Sequence, residues 1–95
     1  MSKQFYIYIM TNKHHSTLYT GMTNNLERRV YEHQNGQGSA FTTRYKLKKL
    51  IYYEVCDTAE TAINREKQIK SGSRQKKLDL IARLNPDWLD LAQKF

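Results

Sequence analysis

The sequence predicts an α+β domain, a three-stranded antiparallel sheet flanked by helices in the order ββαβαα. Three observations carry this prediction. Two short runs rich in aromatic and β-branched residues flank a polar hexapeptide, as in a hairpin; a third such run follows in mid-chain; and the segments between and after them carry apolar residues at helical spacing with capping residues at their starts. Residues 4–10, "QFYIYIM", alternate as a strand does, "TNKHHS" is turn material, and "TLYTGM", residues 17–22, is the returning strand. In "TNNLERRVYEHQNG", Asn24 is placed to cap a helix with Glu27 completing the capping box, and Gly36 is placed to stop it. Residues 36–48, "GQGSAFTTRYKLK", read as a basic loop, and "KLIYYEVC", residues 49–56, as the third strand. A second helix in "DTAETAINREKQIKSG" is capped by Asp57 or Thr58 and stops near Gly72. A third in "SRQKKLDLIARLN" is capped by Ser73 and ends before Pro86, and "DWLDLAQKF" forms a last short turn that packs Trp88 and Leu91 back on the body.

Ninety-five residues fit one domain, 1–95, with enough surface to bury for independent folding and little core to spare. An apolar content of 39% and a charged content of 26% are those of a globular chain. Sixteen Lys and Arg against nine Asp and Glu leave a net charge of +7, which favours polyanionic partners. The single cysteine, Cys56, cannot form an internal disulfide and, at the end of an apolar strand, reads as an inert thiol. The start "MSKQFYIYIM" lacks the features of a signal peptide, and no apolar run approaches the roughly 20 residues of a membrane span, so a cytoplasmic location with no membrane partner is expected.

Helical phase singles out residues that break the binary pattern. Along the first helix Leu26, Val30 and His33 share one face with Arg29 at its edge, while Glu27, Arg28, Tyr31 and Glu32 point elsewhere. Arg29 and His33 are i,i+4 neighbours and can reach one point. In the second helix Ala59, Ala62, Ile63 and Ile69 form the apolar stripe, and Glu66 falls inside it, an expensive place for a carboxylate without a positive partner. Two explanations fit this pattern. Arg29 and Glu66 can form a structural ion pair with His33 as a satisfied neighbour, or the three can converge with the strand tyrosines on a reactive site.

With those residues identified, the chain resembles the GIY-YIG nuclease superfamily, and within it the small bacterial proteins that consist of little more than that domain. The family's first motif corresponds to Tyr6-Ile7-Tyr8 and its second to Tyr19-Thr20-Gly21. Its helix arginine corresponds to Arg29, the frequent His or Tyr four residues on to His33, and its metal-binding glutamate to Glu66 in "NREKQIKSG"; "NGQGSAFTTRYK" is similar to the basic, Gly-rich loop of the small members. Three positions depart from the pattern: Tyr6 replaces the first glycine, Thr20 is the middle of the second motif, and Met22 stands where some relatives carry a lysine.

The resemblance implies a divalent-metal-dependent endonuclease acting on DNA, structure-selective or nonspecific, in repair or recombination. Tyr8 would be the general base, poised by Tyr19 and nearby cations, because a free phenol with a pKa near 10 is mostly protonated at neutral pH. Arg29 would hold the scissile phosphate, and His33 would pass a proton to Tyr8 or orient it. Glu66 would hold a single Mg²⁺ or Mn²⁺ ion. Gly21 would admit close approach of backbone or substrate, and Tyr6 is assigned to packing. Arg44, Tyr45, Lys46 and Lys70 are expected to bind DNA, with Lys48, Lys49, Lys67, Arg74, Lys76 and Lys77 adding charge and Tyr45 able to stack on an unpaired base. His14 and His15 read as solvated loop and Asn85 as a helix stop. Two other functions stay open at this point. One is a nucleic-acid-binding module that needs a protein partner to cut or to choose its substrate; the other is a basic interaction protein with a structural ion-pair core.

Overall fold

The computed structural model describes residues 4–95. Strands β1 (Phe5–Thr11), β2 (Leu18–Thr23) and β3 (Lys49–Cys56) form one antiparallel sheet in the order β2-β1-β3. Helix α1 (Leu26–Gln34) and the short α2 (Ala40–Arg44) separate the hairpin from β3; α3 (Ala59–Ser71), α4 (Arg74–Leu84) and a 3₁₀ turn (Leu91–Lys94) follow it. The sheet and its flanking helices are those expected, with α2 as an additional element.

The middle position of β1 explains its composition. Ile7, Tyr8, Ile9 and Met10 are all buried, so alternate residues serve two cores instead of one core and solvent. Ile7 and Ile9 pack with Ile51, Tyr52, Ala62, Ile69 and Ile81, beneath α3 and α4. Tyr8 and Met10 pack on the other face with Leu26, Val30, Leu47, Leu50 and Leu91. Pairing passes from Ile9↔Tyr52 to Met10↔Leu50, leaving Ile51 as the extra residue of a β-bulge.

The caps refine the expected boundaries. Asn25, not Asn24, caps α1: its side chain accepts from Arg28 N at 3.1 Å, while Thr23 Oγ1 accepts from Asn25 N. The Thr23 hydroxyl fixes Asn25 in the extended conformation an N-cap needs, which moves the start one residue on. Gly36, at φ +73°, lies just past the end of α1 as expected. Thr58 and Ser73 cap α3 and α4. Within α3 the buried residues are Ala62 and Ile69; Ala59 and Ile63 face solvent, so the stripe is narrower than expected and Glu66 lies on its flank. Residues 40–44 are helical, not loop, because Ser39 and Thr42 form a capping box built from two hydroxyls.

Leu91 is buried and Trp88 half-buried, and the two pack on opposite cores. Asn85 ends α4 and is buried; its Nδ2 donates to Ile51 O at 3.1 Å and Leu89 O at 2.8 Å, and its Oδ1 accepts from Leu89 N at 3.0 Å. Every polar atom of that side chain thus serves the fold. Asn85→Ala is expected to lower the unfolding free energy by about 2–4 kcal/mol through the orphaned Ile51 carbonyl and lost turn. A urea titration checks this, and an unchanged midpoint would remove the anchoring role.

Candidate functional site

Antiparallel register sets the site. Tyr8 faces Gly21 and Met10 faces Tyr19, so all four residues lie on the α1 side of the sheet. The Tyr8 ring occupies the space above Gly21: a Cβ there would overlap the phenol oxygen and ring carbons. Helix α1 closes over this hollow with Leu26, Val30 and His33 buried.

Tyr8 Oη and His33 Nε2 lie 2.9 Å apart, and His33 Nδ1 lies 2.9 Å from Thr42 Oγ1. The Thr42 hydroxyl donates to the Ser39 carbonyl at 3.1 Å, which leaves it to accept from His33 Nδ1–H. In that tautomer Nε2 is a free acceptor and Tyr8 donates its proton to it. Arg29 Nε donates to the same phenol oxygen at 3.4 Å, and its Nη1 donates to Glu32 at 3.1 Å. Gly38 packs flat on this arrangement, where a Cβ would overlap the His33 ring.

Burial governs the titration of both groups. It pushes the Tyr8 phenol up to about 12, against the opposing pull of the Arg29 hydrogen bond. Burial, then the nearby Arg29 charge, push His33 down to about 4, so it is neutral at physiological pH. The resting site therefore holds a protonated phenol on a neutral imidazole.

The Tyr19 ring lies 6.4 Å from the Tyr8 ring and 5.7 Å, edge-on, from His33. The Lys70 ammonium sits 5.8 Å from the Tyr19 centroid and 3.9 Å from the Glu66 carboxylate. Glu66 is close enough for its charge to raise the Tyr8 pKa. Tyr8, Tyr19, Gly21, Arg29, His33, Glu66 and Lys70 therefore gather in one neighbourhood.

The structural ion pair considered for Arg29 and Glu66 is absent: Arg29 pairs with Glu32 and Glu66 with Lys70. Glu32 is half-buried beside Arg29, not turned away as its phase suggested, because three residues along a helix return to the same side. Arg29 and Glu66 keep 28% and 24% of their side chains exposed, so both remain open to a ligand.

Arg44, Tyr45 and Lys46 lie at the end of α2, joined to the site through Phe41, whose ring stacks 6.1 Å from Tyr19. Lys46 lines a separate cleft with Lys13, Lys48 and Lys49. Several expected DNA-binding cations serve the fold: Lys77 donates to Gly72 O at 2.8 Å, Arg74 to His15 O at 3.2 Å, and Lys49 to His15 Nε2 at 2.9 Å. His15 stacks on Trp88 at 4.6 Å, so it is a packing residue more than loop. Tyr6 is half-buried against the second core, and Cys56 is half-buried with its thiol pushed up by burial. Sequence reasoning missed Gly38, Phe41 and Thr42. The spacing Ser39-x-x-Thr42 was the available signal, masked by the glycines before it.

The sequence profile of the GIY-YIG catalytic domain matches residues 4–79. The chain belongs to the GIY-YIG family, a family of nuclease domains, and within it to the UPF0213 proteins. It is 47% identical over 77 residues to UPF0213 protein SSP2268 of Staphylococcus saprophyticus, covering 81% of this chain and 93% of that protein. With a UPF0213 protein of Haloquadratum walsbyi it is 41% identical over 80 residues, covering 84% and 89%. The solution NMR structure of UPF0213 protein BH0048 from Bacillus halodurans superposes with a TM-score of 0.59 at 28% identity, over 92% of each chain.

The depressed His33 pKa has a consequence for stability. The unfolded chain binds a proton at this imidazole near pH 6.5, whereas the folded protein does so only near 4. The stabilisation is therefore complete above about pH 6.5 and is lost as pH falls toward 4. Wild type is expected to lose roughly 1–3 kcal/mol relative to His33→Gln across this window. Urea midpoints at pH 7.0, 5.5 and 4.5 check it, and parallel profiles for the two proteins would contradict it.

Proposed function

We propose that this protein is a divalent-metal-dependent endonuclease that hydrolyses DNA phosphodiester bonds in repair or recombination in the cytoplasm. The observation that carries the reading is the meeting of Tyr8, Arg29, His33 and Tyr19 beneath α1, with Glu66 of α3 near enough to act on Tyr8, in a GIY-YIG domain. A net charge of +7 supports a polyanionic substrate, and among the described residues no helix is long and apolar enough to cross a membrane.

Tyr8 is itself buried, so an incoming phosphate meets Arg29 and Glu66 first. The Arg29 fork holds phosphate oxygens and stabilises the charge that grows on them. The Tyr8 oxygen takes a proton from the attacking water while its own proton moves to His33 Nε2, and Thr42 keeps that nitrogen free to receive it. A phenol held near 12 offers almost no phenolate at neutral pH, so it takes the proton of the water only as it passes its own along the hydrogen bond to His33.

Among the described residues no three His, Cys, Asp or Glu side chains cluster as metal ligands. A single partly exposed carboxylate whose partner is a solvent-exposed lysine at 3.9 Å fits a hard, largely hydrated ion such as Mg²⁺ or Mn²⁺, and Glu66 would hold it. When bound, the ion would neutralise phosphate charge and stabilise the leaving oxygen.

One observation favours a second reading, a DNA-binding module that needs a protein partner to cut: the raised pKa of Tyr8, with Met22 and no lysine after Gly21 to lower it. Incubation with plasmid, single-stranded and branched DNA, in Mg²⁺, Mn²⁺ or EDTA, separates the two. Metal-dependent cleavage is expected, and Arg29→Ala and Glu66→Gln should each slow it by about 10²-fold or more with the fold intact. Tight binding with no cleavage on any substrate would establish the module instead, and wild-type rates in Glu66→Gln would remove the ion site.

A further inference from the structure

Helix α2 inverts the usual pattern: it turns Thr42 inward and leaves Phe41 and Tyr45 outward, 44% and 42% exposed. The two aromatics are i,i+4 neighbours with ring centroids 4.8 Å apart, and Phe41 stacks in turn on Tyr19. Cations flank the row at both ends, the Arg44 guanidinium 5.5 Å from the Tyr45 centroid and Lys70 over Tyr19. Beyond Tyr45 the row opens into a cleft of about 670 Å³ lined by Lys13, His14, Lys46, Lys48 and Lys49, with Asp90 its one acidic residue. Residues 33–53 contain no Asp or Glu.

We infer that Tyr19, Phe41 and Tyr45 form a stacking platform for the unpaired bases of single-stranded DNA, which leads the strand from the lysine cleft to Tyr8 and Arg29. A paired duplex keeps its base faces stacked on one another and has no use for exposed rings, so charge alone would serve it. Unpaired bases have free faces, and aromatic rings interleaved with cations bind them without regard to sequence. Charge complementarity thus selects a polyanion, and the rings select one whose bases are unstacked. The inference rests on the nuclease reading only for its choice of DNA over RNA and for the direction of the strand.

The test is binding in EDTA, where the proposed metal-dependent cleavage is silent, using 15-nucleotide DNA containing 2-aminopurine, the same sequence as duplex, and the same sequence as RNA. Wild type should bind the single strand at least ten-fold more tightly than the duplex and quench the 2-aminopurine. Phe41→Ala and Tyr45→Ala should each weaken single-strand binding roughly ten-fold, leave duplex binding within two-fold, and abolish quenching. Phe41→Tyr should restore it. Tyr45, exposed at the end of its helix, carries the test if Phe41→Ala melts early. Equal losses for duplex and single strand, or no quenching by wild type, would overturn the platform; tighter binding of RNA would overturn its assignment to DNA. Quenching by a protein that cuts nothing in Mg²⁺ supports the platform and sinks the nuclease reading. Cleavage of single strand and duplex alike without quenching does the reverse.

Discussion

The placement of one phenol ring above one glycine orders the rest of this molecule. Tyr8 sits at the centre of the middle strand, and its ring fits only because Gly21 directly across the ladder has no side chain. That fit buries a polar oxygen, which then requires partners, and helix α1 supplies them in His33 and Arg29. The His33 ring leaves its second nitrogen to be satisfied, and the Thr42 hydroxyl of α2 does so. The short helix that sequence inspection reads as loop is thus held in place by the same chain of hydrogen bonds that begins at Tyr8. A second glycine, Gly38, lets the loop close over His33.

This economy has electrostatic consequences. The desolvation that fixes Tyr8 and His33 in place also opposes charge on either. Neither group can ionise cheaply by itself, and a proton shared along their hydrogen bond is the least costly way for the pair to act. Arg29 favours such a shift by donating to the phenol oxygen while staying partly exposed and tethered to Glu32. Glu66 stands apart from this buried pair, partly exposed and 3.9 Å from the exposed Lys70, and under the proposed function it is the group that holds the ion.

Much of this was legible in the chain itself. Alternation of aromatic and β-branched residues located the strands, and the three expected helices lie where capping residues and apolar spacing put them. The same alternation puts Tyr6 with Tyr8 on one face of β1 and Tyr19 with Gly21 on one face of β2, while the register that brings the two pairs to the same side is read from the folded sheet. Helical phase brought Arg29 and His33 to that face. It misjudged Glu32, because a residue at the border of a face is decided by its ion partner, and it overextended the α3 stripe to Ala59 and Ile63, because the sheet covers only the narrower strip around Ala62 and Ile69. Helix α2 was hidden since five residues with adjacent threonines carry no period, and its stability comes from hydroxyl capping and from His33, a contact that exists only after folding. Phe41 was overlooked for the same reason: its exposure depends on which way that short helix turns.

The central claim is that the Tyr8 hydroxyl, poised between His33 and Arg29, handles the proton of the attacking water. Tyr8→Phe tests it most directly, since the ring still fills the space above Gly21 and only the reactive oxygen is removed. The account predicts that this variant keeps its fold and DNA affinity while metal-dependent cleavage falls by about 10²-fold or more. Cleavage at the wild-type rate by a folded Tyr8→Phe protein would contradict it.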